Sequence, residues 1–236
     1  MRAVGIIGYQ NSGKTTLATA LTQELVTRGH DVAAVKHSSH QMDLAGKDTA
    51  RLKGMVDEVA FISPYESGLF LDGKRSLEEM LAHLDAELVI IEGFKQERSF
   101  PKIACLRGEP EDENLLDGLA LCAVGPVPEG VELEIPLLSQ GRVKDIADLV
   151  EERAFKLPNL DCGDCGFETC YEMAREIVKG NRTVEDCVSL RSRTEVRIDG
   201  ERLPLNSFIS ELIASTIRGL LAPLKSCSKG RIEIKI

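Results

Sequence analysis

Two groups of residues have the types and spacing to do chemistry. Gly8-Tyr-Gln-Asn-Ser-Gly-Lys-Thr15 fits the pattern G-x-x-x-x-G-K-[ST] without a mismatch, after an apolar run and before a helical one. Gly8 and Gly13 let the backbone turn so that successive N–H groups face inward, where a helix N-terminus adds positive potential for an anion. Lys14 would then reach the β- and γ-phosphates of a nucleotide and the Thr15 hydroxyl would bind Mg²⁺. The second group is Cys162, Cys165, Cys170 and Cys187, spaced C-x₂-C-x₄-C-x₁₆-C. Three thiols close together and one remote suit the corners of a [4Fe–4S] cube. The rival is a structural Cys₄ zinc site, which usually shows two C-x₂-C pairs, and no second pair is present.

Smaller signals lie between these groups. Leu88-Val-Ile-Ile-Glu92-Gly93 reads as a buried strand delivering a carboxylate to the strand end, where open α/β sheets bind ligands. Glu92 is a candidate for holding Mg²⁺ through water or for positioning an attacking water; a solvated strand end is the alternative. Lys36-His37-Ser-Ser-His40 puts two imidazoles near the same edge, as metal or phosphate ligands or as part of a polar loop. Asp43, Gly46, Lys47, Asp48 and Arg51 follow, adding a carboxylate and cations or simply opening a solvated helix. Cys105 and Cys122 sit in strand-like runs and read as small core residues, and Cys227 as incidental.

The elements that must position these residues are legible in the apolar pattern. Ala3–Ile7, 32–35, 59–62, 88–91, 103–106 and 119–124 are short continuous apolar runs, as expected of strands buried on both faces in a mostly parallel sheet. Helices are expected over 15–27, 76–84 and 144–153, with an extra hairpin strand near 67–73. Pro158 and the Gly/Cys-rich stretch after it mark a change of composition. The expected organisation is therefore an α/β P-loop NTPase domain over 1–155, a four-cysteine domain over 156–190 and a small α+β segment over 191–236. In the last two, helices are expected at 167–179 and 206–221, a hairpin around Asp199-Gly200 and a strand at 231–236.

Composition narrows the partners. Apolar residues make up 43% and charged residues 28% of the 236, an ordinary globular balance. With 29 basic against 38 acidic side chains, the net charge of −9 argues against a phosphate-backbone footprint, so no nucleic acid is expected. No apolar run approaches the roughly 20 residues that span a bilayer. The N-terminus reads as a strand rather than a secretory signal. Seven cysteines, an odd number with four clustered, suit metal ligation in a reducing compartment, and the expected location is the cytoplasm.

The ordered set G-x-x-x-x-G-K-T-T-L, V-K-H-x-x-H, G-K-D-T-A-R, L-V-I-I-E-G-F-K and P-K-I, across roughly residues 1–155, resembles the molybdopterin-guanine dinucleotide biosynthesis protein B (MobB) family. The resemblance implies a GTP-binding protein with weak GTPase activity, Mg²⁺ as its ion, a MobA-like guanylyltransferase and molybdopterin as partners, and a homodimer. Its nucleotide-site residues correspond here to Gly8, Asn11, Ser12, Gly13, Lys14, Thr15, Thr16, Lys36, His37, Asp48, Glu92, Gly93 and Lys95. No N-K-x-D element is present, and the run ending at Gly125 lacks an Asp for a guanine edge, so guanine preference rests on the resemblance. The segment from Asp161 to Cys187 is similar to the small [4Fe–4S] domain of corrinoid iron–sulfur proteins and of the RnfB subunit. Two other functions fit the same residues: an iron–sulfur electron-transfer ATPase gated by nucleotide, and a metallochaperone GTPase using His37 and His40.

Overall fold

The computed structural model describes residues 1–38, 48–191, 194–198 and 201–223. Its centre is β1 (Arg2–Gly8), where Ala3 to Gly8 are all buried, as a run with no polar alternation requires. The chain continues through α1 (Lys14–Thr27), β2 (Val32–Lys36), α2 (Asp48–Lys53), β3 (Glu58–Ile62), β4 (Ser67–Leu71), α3 (Leu77–Ala82), β5 (Leu88–Glu92), β6 (Lys102–Cys105), β7 (Ala120–Val124), β8 (Leu137–Leu138) and α4 (Val143–Arg153). Six strands form one sheet in the order β2-β5-β1-β6-β7-β8. Every pairing in it is parallel.

Helices cover both faces. Leu17, Leu21 and Leu25 recur every fourth residue of α1, forming one buried stripe against β1, β5 and the Ile146, Ala147 and Val150 of α4. Each fully buried leucine contributes about 1.5–3 kcal/mol of apolar transfer. On the opposite face Leu77 and Leu81 of α3 meet Val89, Ile91 and Phe100. Ser76 and Glu79 start α3 with reciprocal caps, Ser76 accepting from the Glu79 amide and Glu79 accepting from the Ser76 amide.

One strand departs from expectation. Residues 59–62 were expected as a buried strand of the parallel sheet, but β3 pairs antiparallel with β4 in a separate two-stranded hairpin. Only Ser63 to Glu66 separate β3 from β4, far too few residues for a parallel crossover. Of β3 only Val59 is buried.

The cysteine segment packs directly on the sheet domain. α5 (Cys170–Val178) begins at Thr169, whose hydroxyl accepts from the Glu172 amide. Cys170, Met173, Ala174 and Cys187 share one apolar core with Leu119, Phe155 and Leu157. The Leu157 amide donates to the Ser99 carbonyl at 2.7 Å. Arg153, at the end of α4, donates to the Val178 carbonyl. Beyond it lie α6 (Val188–Arg191), β9 (Val196–Ile198), β10 (Glu201–Leu203) and α7 (Ser207–Leu221), with β9 and β10 pairing antiparallel as the hairpin expectation required. The strand expected at 231–236, Cys227 and the turn at 199–200 lie outside the described residues. Among the described residues, no helix is long and apolar enough to cross a membrane.

Candidate functional site

The loop at residues 8–15 lies where theory places ligands in an open α/β sheet, at the carboxyl ends of strands whose connections diverge on either side of β1. Gly13 has φ +82° and caps α1 directly, and Asn11 has φ +63°; both are left-handed and wind the loop. A Cβ on Gly8 would come within 2.6 Å of the Cys105 carbonyl oxygen, so this first glycine is fixed by contact with β6. The Lys14 ammonium donates to the Tyr9 carbonyl and, at 3.5 Å, to the Ser12 hydroxyl. Burial holds the Lys14 amine below its ordinary value; Cys105 and Glu92 oppose that shift, while Lys95 and Arg107 add to it.

Strand register brings the distant residues in. Lys36 ends β2 and is paired with Glu92 at the end of β5, and Glu92 is also in register with Ile6 of β1. The Thr15 hydroxyl donates to Glu92 Oε1 at 2.6 Å, and Lys36 Nζ lies 3.2 Å from Glu92 Oε2 and 3.3 Å from Thr15 Oγ1. This hydroxyl–carboxylate pair beside a phosphate loop is the donor set a Mg²⁺ ion takes up, directly or through water. The His37 amide donates to the Glu92 carbonyl, and its ring meets that of Phe94 at 4.8 Å. Gly93 (φ +98°) has no room for a Cβ, which would lie 2.8 Å from that of His37. Lys95 Nζ stands 3.7 Å from the centre of the Tyr9 ring and Arg107 Cζ 4.9 Å from it, so a tyrosine of the loop gathers two cations beside the anion site.

Of the residues singled out in the sequence, Gly8, Asn11, Ser12, Gly13, Lys14, Thr15, Lys36, His37, Glu92, Gly93 and Lys95 come together around this loop. Thr16 is exposed on the first turn of α1. Asp48 opens α2, and His40, Asp43, Gly46 and Lys47 lie outside the described residues. Arg107 and Gln140 were not among the candidates. Arg107 follows β6 at the sheet's carboxyl edge, a placement its position after a buried run implies. Gln140 comes from a loop with no pattern, and its amide reaches the Gly13 carbonyl at 3.3 Å. Arg107 and Gln140 border a cleft of about 760 Å³ lined also by Leu106, Val124, Gly125 and Ser139. At Gly125 (φ +110°) a Cβ would lie 2.2 Å from the Leu106 carbonyl oxygen, so the end of β7 takes no other residue without moving.

The second site is the cysteine loop. Asn159, Asp161, Gly163 and Gly166 all have left-handed φ, winding the chain tightly between Leu157 and α5. Cys170 and Cys187 are buried, and Cys162 and Cys165 half-buried. Burial pushes the Cys170 and Cys187 thiols up, while backbone N–H groups of Asp161 and Leu160 on Cys170, and of Leu190 and Ser189 on Cys187, pull them back. Cys170 and Cys187 lie in one buried cluster, and Cys165 packs against it. Three thiols on an apolar wall, two of them with amides aimed at sulfur, fit an iron–sulfur cluster, whose thiolates are tuned by such N–H···S bonds. Among the described residues, no three His, Cys, Asp or Glu side chains converge on a single ion-sized point. Cys105 and Cys122 are buried in β6 and β7, their thiols pushed up to about 12 by burial, as expected of core residues.

The family model for molybdopterin guanine dinucleotide synthesis protein B, MobB, matches residues 3–124. The chain belongs to the MobB family. A second model, described as "Putative Fe-S cluster", matches residues 157–189. A Methanocaldococcus jannaschii protein named "Putative molybdopterin-guanine dinucleotide biosynthesis adapter protein" is 30% identical over all of this MobB-family chain and 97% of its own length. A Haemophilus influenzae molybdopterin-guanine dinucleotide biosynthesis adapter protein is 35% identical over 63% of the chain and 86% of its own. The crystal structure of a Bacillus stearothermophilus MobB homolog superposes with a TM-score of 0.51 at 27% identity, covering 64% of this chain and 97% of that one. Bacillus subtilis MobB gives 0.51 at 25% with the same coverage. Both cover nearly the whole of the other chain and about two thirds of this one.

Proposed function

We propose that this MobB-family chain binds GTP with Mg²⁺ at residues 8–15 and serves, with a MobA-like guanylyltransferase, the attachment of a guanine nucleotide to molybdopterin. The observation that carries the reading is the Thr15–Glu92–Lys36 triangle beside the phosphate loop. In this reading the loop amides and Lys14 hold the phosphates, Thr15 and Glu92 hold the Mg²⁺, and Lys36 leaves Glu92 for a phosphate oxygen. The ion supplies charge neutralisation along the triphosphate. Glu92, orienting a water, gives slow GTP hydrolysis. Lys95 and Arg107, gathered on Tyr9, add positive charge for phosphate. The cleft beyond Gly13 takes the base and ribose, with Gln140 and the amides near Gly125 as its polar groups, which supplies a guanine site without an N-K-x-D element.

Cys162, Cys165, Cys170 and Cys187 hold a [4Fe–4S] cluster in this reading. A tetrahedral zinc ion with bonds of about 2.3 Å needs its sulfurs about 3.8 Å apart. The C-x₂-C-x₄-C-x₁₆-C spacing, without the second C-x₂-C pair usual for zinc, supports the cube. Residues 1–155 form the nucleotide domain, 156–190 the cluster domain and 191–236 its α+β extension. The β3–β4 hairpin, with Ile62 at 83% and Tyr65 at 96% exposure, supports a homodimer. The cytoplasm, a reducing compartment, suits the cluster.

The deciding experiment is calorimetric titration of anaerobically purified protein with Mg-GTP and Mg-ATP, with Lys14→Ala as control. A GTP preference abolished in Lys14→Ala is the expected result. Equal binding of the two nucleotides sinks the guanine assignment.

A further inference from the structure

Lys102 is a fully buried lysine outside the phosphate site, with no exposed side-chain surface. It opens β6 on the face where Gly5 of β1 leaves room; a Cβ there would meet Phe100 at 2.9 Å and the Lys102 stem at 3.4 Å. Its ammonium makes two contacts, donating to Asp117 Oδ2 at 2.6 Å and to the Lys95 carbonyl at 2.9 Å. A buried ion pair is a poor source of stability, because desolvation offsets the attraction and an apolar side chain of similar volume does as well. What distinguishes this pair is what its two ends hold.

One end is the segment after β5. Gly93 and Phe94 are consecutive left-handed residues, at φ +98° and +52°. For phenylalanine that conformation costs on the order of 1 kcal/mol, so neighbouring contacts must maintain it. The bond from Lys102 to the Lys95 carbonyl is one such contact, and Lys95 in turn stands over Tyr9 of the phosphate loop. The other end belongs to the cysteine domain. The Tyr171 hydroxyl, next to Cys170, donates to the Asp117 carbonyl at 2.6 Å, and the Tyr171 ring lies under Arg98 at 4.4 Å. Asp117 Oδ1 also accepts from the Leu119 amide at 3.2 Å, fixing the carboxylate that Lys102 meets.

We propose that Lys102 is a positioning residue for the nucleotide site, and that the cysteine domain sets nucleotide affinity through Tyr171, Asp117, Lys102 and the Lys95 carbonyl. The inference rests on the reading that residues 8–15 bind nucleotide and that the four cysteines hold a cluster. Loading the cysteines fixes the start of α5 and hence Tyr171; Asp117 is then held, Lys102 keeps its second bond, and Lys95 stays over the loop. By linkage, bound nucleotide stabilises the loaded cysteine loop by the same factor.

The test compares cluster-loaded and cluster-free full-length protein, purified anaerobically, for wild type, Tyr171→Phe and Lys102→Met. Amide hydrogen exchange over residues 93–97 and the dissociation constant of Mg-GTP are measured in each. In wild type, loading slows exchange over 93–97 and tightens Mg-GTP by at least about fivefold, the lower end of ordinary coupling between sites. Tyr171→Phe keeps its iron content, because the ring stays in place, and loses the difference between loaded and free protein. Lys102→Met loses it as well, whereas a merely structural lysine would lower the unfolding midpoint and leave the loaded-to-free ratio intact. Equal exchange over 93–97 in loaded and free wild type overturns the proposal, as does a Tyr171→Phe protein that keeps the wild-type difference. Absence of Mg-GTP binding in both forms sinks the nucleotide reading by itself, and hydrogen exchange still decides the relay; a chain that takes up no iron overturns both the cluster reading and the relay.

Discussion

Gly93→Ala tests the geometry of the nucleotide site at the point where it is tightest. Gly93 sits at φ +98°, and an alanine Cβ would lie 2.8 Å from the Cβ of His37, well inside ordinary contact. Two costs follow. The left-handed backbone is about 1–2 kcal/mol worse for a residue with a Cβ. The contact adds roughly 1 kcal/mol, the lower end of overpacking because only the His37 Cβ lies inside ordinary contact distance. The sum, about 2–3 kcal/mol, lowers the thermal midpoint of a chain this long by roughly 5–10 °C. Relief of the strain moves Glu92 and Lys95, which lie on either side of Gly93 in the chain and contact Thr15 and Tyr9, so Mg-GTP affinity falls by about tenfold or more, or 1.4 kcal/mol. Calorimetry and thermal unfolding with and without Mg-GTP read both effects. A cycle with His37→Gly separates the two costs, since removing the second Cβ relieves the contact and leaves the backbone strain. A Gly93→Ala protein within about 0.5 kcal/mol of wild type, with unchanged affinity, would refute the reasoning, as would full recovery in the double variant.

Other perturbations test separate parts of the molecule. Glu92→Gln removes the charge opposite Lys36 and Thr15, so the Mg²⁺ concentration needed for half-maximal GTP binding rises about tenfold in a magnesium titration, while stability, resting on a half-exposed pair, changes by less than about 1 kcal/mol. Cys170→Ser abolishes the visible charge-transfer absorption of anaerobically reconstituted protein, whereas Cys105→Ser keeps both absorption and iron content. Leu21→Ala, at a fully buried position of α1, costs about 2–5 kcal/mol in urea unfolding. Glu151 is held below its ordinary value of 4.5 by hydrogen bonds from His30 and then Arg28. A depressed carboxylate gives stability that is complete above 4.5 and lost as pH falls through the folded value. Urea midpoints of wild type therefore decline more steeply below pH 4.5 than those of Glu151→Gln.

Much of this arrangement was legible because local rules and tertiary demands agree. A continuous apolar run, two glycines, Lys14 and Thr15 can only be a strand, a loop and a helix N-terminus, and they are. Glu92 and Lys36 were placed at strand ends by the same runs, and parallel register then brings them together. The β3 error has a local cause: an apolar run of four reads alike in a sheet interior and in a projecting hairpin, and only the four-residue connection to β4 distinguishes them. Gln140 was invisible because it acts through a loop whose residues carry no periodicity, whereas Arg107 follows the buried run of β6 and could have been found from it.

Lys102 shows a deeper limit of sequence reading. In Pro101-Lys-Ile103 it looks like a solvated lysine at the start of a strand, the role a lysine almost always has. Its burial is produced from three remote places: Gly5 leaves space for the stem, Asp117 supplies the charge, and the Lys95 carbonyl accepts the second bond. None of these is near enough in sequence to leave a pattern, and the fourth element, Tyr171, belongs to the cysteine segment. A methionine would fill the same volume without desolvating an ammonium. The pair makes physical sense where two sites must respond to each other, because a hydrogen-bonded charge holds one orientation and an apolar contact tolerates many. In the proposed relay the fused cysteine domain reaches the phosphate loop through this interior position.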